Sequence, residues 1–374
     1  MQVFTFRSCA VGGNWARDMP TAKNAETVGQ QPISLTSENA ARSVVLSPQH
    51  HSGRYHVKNK ALATLATIAL ALMVNVAFGD DDRHDLPYPN VTDTSHATDR
   101  AADILEGFFS AKSLHHAAAM VSFFAPAPAP VLYIDAGLGF AWPSQASLLA
   151  VWSSPAFANG PPDALSYPLR IIGDSRSALV EFVDTPPLLG AEFRFLASIT
   201  FNNKGQIVRW IDYWDGRSSL VHLPIGTFGP YPTDFHDNVV NASARIRQVS
   251  QALQDALGSG NAAAAAQLFT PDAVYEDMAL HTRLEGQLQI QRYLTRGLSQ
   301  LPYGAGASLA HVVGSDWGGG YEWRAAPSAA PLVRGNTALE VDRDGKITRF
   351  TTIYDSFQFA DSKYQSLVLL GAEH

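Results

Sequence analysis

One stretch of this chain occurs twice. Gly205-Gln206-Ile207-Val208-Arg209-Trp210-Ile211-Asp212-Tyr213-Trp214-Asp215 returns 140 positions later as Gly345-Lys346-Ile347-Thr348-Arg349-Phe350-Thr351-Thr352-Ile353-Tyr354-Asp355. The correspondence extends upstream. Ile171-Ile172-Gly173 answers Val312-Val313-Gly314, and Val180-Glu181-Phe182 answers Tyr321-Glu322-Trp323, each 141 apart. Leu132-Tyr133-Ile134-Asp135 answers Val274-Tyr275-Glu276-Asp277, 142 apart. So small a drift over so many positions argues against chance. The period is longer than that of solenoid repeats, about 20–50 residues, and is the size of a whole small domain. The chain therefore reads as a duplicated domain.

Lys204-Gly205 reads as a turn feeding a long strand. Side chains alternate across a strand, so Trp210, Asp212 and Trp214 share one face while Ile207, Arg209, Ile211 and Tyr213 share the other. Two environments fit an acid between two indoles. In a partly apolar pocket, desolvation pushes the Asp212 carboxyl upward. On an edge strand it simply faces water.

Length and charge bound the rest. A chain of 374 residues suggests two or three domains. The net charge of −7 comes with no basic cluster, so nucleic acid is not an expected partner. One cysteine, Cys9, excludes a disulfide framework and any Cys-based zinc site. His115 and His116 are adjacent, point to different sides of a helix and cannot chelate one ion together. No metal or cofactor is expected. Glu181 and Glu322 recur together, as a shared cavity or a shared solvated strand face, the second being preferred.

Residues 1–56 have no sustained periodicity and read as disordered or as mis-called upstream sequence. A basic start at Val57-Lys58-Asn59-Lys60, an apolar run from Ala61 to Phe78 and the small-residue site Ala77-Phe78-Gly79 make 57–79 a secretory signal peptide. The alternative is an uncleaved anchor. Cleavage near Gly79 predicts a secreted or periplasmic bacterial protein without cysteine, touching the membrane only through that segment. A polar lead (80–95) precedes the first domain (96–220). This has a helical pattern from His96 to Phe124, a break at Ala125–Pro130, a strand at Val131–Asp135 and a helix at Ser144–Trp152. Strands near Leu169–Gly173, Ala178–Asp184, Glu192–Phe201 and Gln206–Asp215 follow. After a linker (221–240), the second domain (241–360) has helices at Ala242–Leu257, Ala262–Phe269 and Gln287–Ser299, and strands that begin with Ala273–Asp277. The apolar tail (361–374) is expected to pack back on a domain. The order, helices then strands, is α+β: two cone-shaped domains, each a curved, mostly antiparallel sheet around helices.

Leu268-Phe269-Thr270-Pro271-Asp272-Ala273-Val274-Tyr275-Glu276-Asp277, then Gly286 and a helix, then Gly345-Lys346-Ile347 and Tyr354-Asp355 resemble the nuclear transport factor 2-like (SnoaL-like) superfamily. That resemblance implies a bent sheet around a pocket closed by helices, in both copies. Its members include isomerases, cyclases, epoxide hydrolases and non-catalytic binding domains, so the site must decide.

The first copy most resembles the limonene-epoxide hydrolase group. The resemblance puts Asp212 at the water-activating Asp, Tyr133 at the Tyr that helps hold the water, and Asp184 at the acid catalyst. Asp135 stands where the group has Asn, and Phe182 replaces an Arg that would lie between two carboxylates. Without that Arg the acids should share protons. Asp212 is then the base and Asp184 the acid, Tyr133 and Asp135 orient water or substrate, and Trp210, Trp214 and Phe182 line the pocket. In the second copy Thr352 stands at the Asp212 position. Asp277 matches the general base of ketosteroid isomerases, but Leu253 and Thr337 stand where its oxyanion donors would be. Tyr275, Asp277 and Tyr354 are therefore expected to bind rather than to catalyse. The expected ligand is a small apolar oxygenated molecule. Either the first pocket turns it over, as an epoxide hydrolase-, cyclase- or isomerase-like enzyme, or the protein is a secreted binding or scaffolding protein. The two copies are expected to pack as an intramolecular pseudo-dimer.

Overall fold

The computed structural model describes residues 86–217 and 230–372. The expectations for 1–56, for the 57–79 signal or anchor, for Cys9 and for the linker residues 221–229 lie outside the described residues.

The first domain starts earlier than its hydrophobic pattern suggests. Strand β1 (Asp93–Ala97) lies partly in the polar lead and pairs in parallel with β4 (Ser166–Gly173). The long helix expected from His96 to Phe124 is two helices, α1 (Asp99–Ser113) and α2 (Ala117–Ser122). Thr98 caps α1 by accepting from the amide of Ala101, and His115 turns the chain between the two helices at a φ of 57°. Then come β2 (Leu132–Asp135), β3 (Phe140–Trp142), α3 (Gln145–Trp152) and α4 (Pro155–Ala158). After β4 follow β5 (Ser177–Asp184), α5 (Pro186–Leu189), β6 (Phe193–Phe201) and β7 (Ile207–Trp214). The sheet order is β1-β4-β5-β6-β7-β2-β3.

The second domain has α6 (Ala244–Gly258), α7 (Ala262–Ala266), β8 (Phe269–Asp277), β9 (Thr282–Glu285) and α8 (Gln287–Gly297). Strands β10 (Ser308–Ser315), β11 (Gly318–Arg324), β12 (Arg334–Val341) and β13 (Ile347–Ile353) follow, then α9 (Asp361–Val368). The expected helix Ala262–Phe269 stops at Ala266, and its strand begins at Phe269 rather than Ala273. Pro271 has no amide hydrogen to give the ladder, and it falls where the β8–β13 register shifts. The sheet order, β10-β11-β12-β13-β8-β9, repeats β4-β5-β6-β7-β2-β3. Fold class is α+β, with two mixed, mostly antiparallel sheets each wrapped around its own helices.

The hairpin turns before β7 and β13 share one hydrogen-bond pattern. Asn202 Oδ1 accepts from the amides of Lys204 (2.9 Å) and Gln206 (3.0 Å), and Asp342 Oδ1 accepts from those of Asp344 (2.9 Å) and Lys346 (2.8 Å). Gly205 and Gly345 supply the positive φ, 80° and 79°.

Each sheet has two buried faces. Inside the first cone Trp210 and Trp214 pack with Phe108, Phe124 and Phe182. On the opposite face, Ile211 and Tyr213 join Leu179, Leu196, Met278, Val313 and Ile353 in a core shared by both sheets. The alternation of β7 thus separates cone from seam, except at Ile207, where a register shift beside Phe201 turns it into the cone. Small residues let the sheets approach. A Cβ on Gly320 would strike Leu179 and the carbonyl of Thr337, and one on Gly318 would lie 2.7 Å from Ile172.

Contacts across the seam are reciprocal. Asp215 Oδ1 accepts from the amide of Ser356 (2.8 Å), and Asp355 Oδ1 accepts from that of Gly216 (2.9 Å). Arg209 donates to Glu322, 2.5 Å away, and Glu322 also takes Tyr213 (2.7 Å) and Arg334 (2.8 Å). Asp237 closes this network on Arg334. Glu322 is fully buried, and the two guanidiniums hold its carboxyl down at about 2 despite that burial. Glu181 is buried too, 1% exposed, with Arg194 and Arg170 beside it. The preferred reading of a solvated strand face at Glu181 and Glu322 is therefore wrong. An isolated carboxylate could not stay there; the arginines make the position tenable.

Candidate functional site

Four strands and one helix bring the first-domain residues together. Asp212 on β7 is in register with Asp135 on β2, as Trp210 is with Tyr133. The Tyr133 hydroxyl donates to Asp212 Oδ2, and the Trp210 indole N–H reaches two residues along its own strand face to Asp212 Oδ1. The Tyr133 and Trp210 rings stack at 5.9 Å. β7 is an interior strand, and Asp212 is 3% exposed. Burial pushes its carboxyl up to about 7, against the pull of the Lys112 charge and the Tyr133 hydrogen bond. Asp135 accepts from the Trp214 indole (2.8 Å) and the Leu138 amide (3.0 Å), and burial raises it to about 6.

Asp184 is not the unpaired acid expected. Lys112 Nζ donates to both of its oxygens, at 2.9 and 3.1 Å, and the Ser166 hydroxyl donates to Oδ1. Lys112 lies 4.8 Å from the centre of the Phe182 ring. The strand carries Phe182 where the hydrolase resemblance expects an Arg, and α1 delivers a cation over that ring. The signal was present in the sequence. Ile104, Leu105, Phe108 and Phe109 form the apolar stripe of α1, and Lys112, four residues after Phe108, continues it. Ser166 had no signal of its own.

The second domain holds a different constellation. Asp277 is in register with Thr352 and is fully buried. It accepts from the hydroxyls of Tyr303 (2.9 Å) and Tyr354 (3.3 Å) and from the Leu280 amide (3.0 Å). Tyr275 and Tyr303 share a hydroxyl hydrogen bond, and the Tyr275 ring stacks on Phe350 at 4.4 Å. Burial raises Asp277 to about 7, tempered by the phenol hydrogen bonds. Tyr303, which the sequence did not single out, is thus a hydroxyl partner of Asp277. That residue sits in an irregular Gly/Pro-rich segment, where periodicity says nothing of direction.

Aromatic rings pack against one another inside the first cone. Phe108 lies 4.7 Å from Trp210, Phe109 lies 5.0 Å from Phe182, and Phe182 stacks on Phe195 at 4.4 Å. A cavity of about 470 Å³ lies at the seam, walled by Arg194 and Asp215 of the first domain and by Glu276, Asp277, Met278 and Ile353 of the second, with His281, Thr282 and Arg283 also on its lining. Among the described residues, no group of three His, Cys, Asp or Glu could hold a metal ion.

Residues 250–350 match the model of the SnoaL-like domain family. Part of the second domain is thus similar to SnoaL-like domains. No curated protein matches the chain. Several solved structures are similar to part of it. An NTF-2 like protein of unknown function from Burkholderia xenovorans is 21% identical, covering 32% of this chain and 91% of its own, with a TM-score of 0.26. A steroid delta-isomerase from Pseudomonas aeruginosa is 16% identical over 35% of this chain and 92% of its own, TM-score 0.28. A SnoaL-like protein of unknown function from Burkholderia thailandensis is 14% identical over 31% and 98%, TM-score 0.27. The matched stretch spans Asp277 and Tyr303, but not Tyr354.

Proposed function

We propose that this protein is an exported small-molecule protein of two SnoaL-like copies, whose first copy carries a cofactor-free acid/base site of epoxide hydrolase, cyclase or isomerase type. The observation that carries this reading is Lys112. A buried cation within hydrogen-bond distance of Asp184, whose charge also acts on Asp212, supplies what the Phe182 position lacks. Asp212 is the base. It takes a proton from water or from a carbon acid, held in orientation by Tyr133 and Trp210. Lys112 faces the developing oxyanion and provides its proton. Asp184 and Ser166 are positioning residues that hold Lys112, so the acid role moves from Asp184 to the ammonium it binds. Asp135 and Trp214 brace the neighbouring strand position. The substrate class is a small apolar oxygenated molecule, in keeping with the aromatic walls.

Duplication is supported by the shared strand order, the matched turns and the reciprocal Asp215 and Asp355 contacts. It makes the seam an intramolecular pseudo-dimer interface. Export rests on the segment 57–79, and sequencing the mature N-terminus tests it: a start near Asp80 supports cleavage, and an intact Met1 contradicts it. The competing reading is a binding or scaffolding protein without turnover. The aromatic filling of the first cone favours it.

Asp212→Asn separates the two readings on a panel of small epoxides and enolisable ketones. The acid/base reading expects wild-type turnover that rises with pH through about 7, as the Asp212 carboxyl loses its proton, and its loss in the variant with the fold intact. Wild-type protein inert on the whole panel, or turnover unchanged in Asp212→Asn, leaves the binding reading.

A further inference from the structure

The two ends of the seam are built from matching residues, and among the described residues only one of them is filled. Arg334 and Arg194, 140 apart, sit at the same place in β12 and β6, and each gives its guanidinium edge to carboxylates. Arg334 holds Glu322 and Asp237; Arg194 holds Glu181, with Glu276 at 3.6 Å. Asp355 matches Asp215, Asp135 matches Asp277, and Tyr213 matches Ile353.

At the Arg334 end the chain fills the space itself. The Phe235 ring lies 3.9 Å from the Arg334 guanidinium, and its carbonyl accepts from Arg209 (2.7 Å). Tyr231 packs 5.7 Å from Phe235 on the seam core, and the Arg334 and Glu322 charges, then those of Asp135 and Asp355, act on its hydroxyl. At the Arg194 end the matching wall bounds the 470 Å³ cavity. Its volume falls within the range of small-ligand sites, about 300–1,000 Å³. The smaller Ile353 stands where the other end has Tyr213, which leaves room for a ring.

We propose that the seam cavity is a binding site for a hydroxylated aryl compound, its ring against the Arg194 guanidinium and its hydroxyl donating to the Asp215–Asp277 wall. The occupant mimicked is the chain's own Phe235–Tyr231 pair at the opposite end. An aryl ring on a guanidinium gains cation–π attraction, and a phenol hydroxyl is a donor that a carboxyl oxygen can accept. This site is distinct from the first cone.

Titration calorimetry of the full chain with 2-naphthol at pH 7 tests it. One molecule should bind per chain. Arg194→Ala should weaken binding about two- to fivefold, the size of a cation–π contact at a partly exposed guanidinium. Met278→Trp, which fills the cavity, should abolish it, and Ile353→Tyr serves the same purpose if the tryptophan variant does not fold. Asp212→Asn should bind as the wild type does. No binding to the wild type, equal affinity in Arg194→Ala and a cavity-filled variant, or loss in Asp212→Asn would each overturn the proposal; the last would move the ligand to the first cone without touching the acid/base reading.

Discussion

Asp212 and Asp277 are buried carboxyls in two cones of like topology, both raised to about 7, and they are stabilised by opposite means. Asp212 has an indole, a phenol and the nearby charge of Lys112. Asp277 has two phenols, a backbone amide and the repelling charge of Asp215. The first cone therefore contains charge separation, Lys112 against Asp184, whereas the second keeps a neutral hydrogen-bonded cluster. One fold accommodates both because the register β2–β7, repeated in β8–β13, sets one pair of facing positions, with the acid on β7 in the first cone (Asp212) and on β8, at the place of Asp135, in the second (Asp277), and leaves their partners to helices and loops.

The largest expected difference is in stability. Lys112→Met leaves Asp184 buried without its counter-ion and should cost about 3–5 kcal/mol at pH 8. The loss should shrink at pH 5, where a lone buried carboxylate takes up a proton. Tyr303→Phe should cost only about 1–2 kcal/mol, because Asp277 keeps Tyr354 and the Leu280 amide. Denaturant midpoints of both variants at the two pH values check this. Equal losses would erase the contrast between a charged and a neutral cluster.

A smaller effect follows from proton linkage. Asp135 and Asp215 are raised to about 6, Asp212 and Asp277 to about 7. A carboxyl whose folded value is raised binds its proton more tightly when folded, so its contribution is lost as pH rises from about 4 through the folded value. His311, lowered to about 4 by burial, works the other way between about 4 and 6.5. Four carboxyls outweigh one imidazole. The melting temperature should therefore fall between pH 6 and pH 8, and Asp277→Asn should flatten that fall. A melting temperature that climbs steadily to pH 8 would contradict the raised values.

Much of this architecture was legible beforehand, and the reason is periodicity. The repeat at 140–142 residues, the Gly205 and Gly345 turns and the alternation along β7 are local regularities, so they survive in a string of letters. Partners that arrive from elsewhere in the chain do not. Lys112, Ser166 and Tyr303 act across distances of 72, 18 and 26 residues. Only Lys112 betrayed itself, as a charge on an apolar stripe. The misjudged Glu181 and Glu322 teach the same lesson. Alternation put them on one face, but only the packing of one sheet on the other made that face an interior, with Arg209 reaching 113 residues to neutralise it. The cavity was invisible for a related reason, since its walls come from two domains and its emptiness from what the other end contains.

Carboxyl-carbon NMR titration of Asp212, assigned by the missing resonance in Asp212→Asn, tests the poised base most directly. A midpoint near 7 that moves higher in Lys112→Met is the predicted result. A midpoint at the ordinary value near 4, or one that ignores the loss of Lys112, would contradict it.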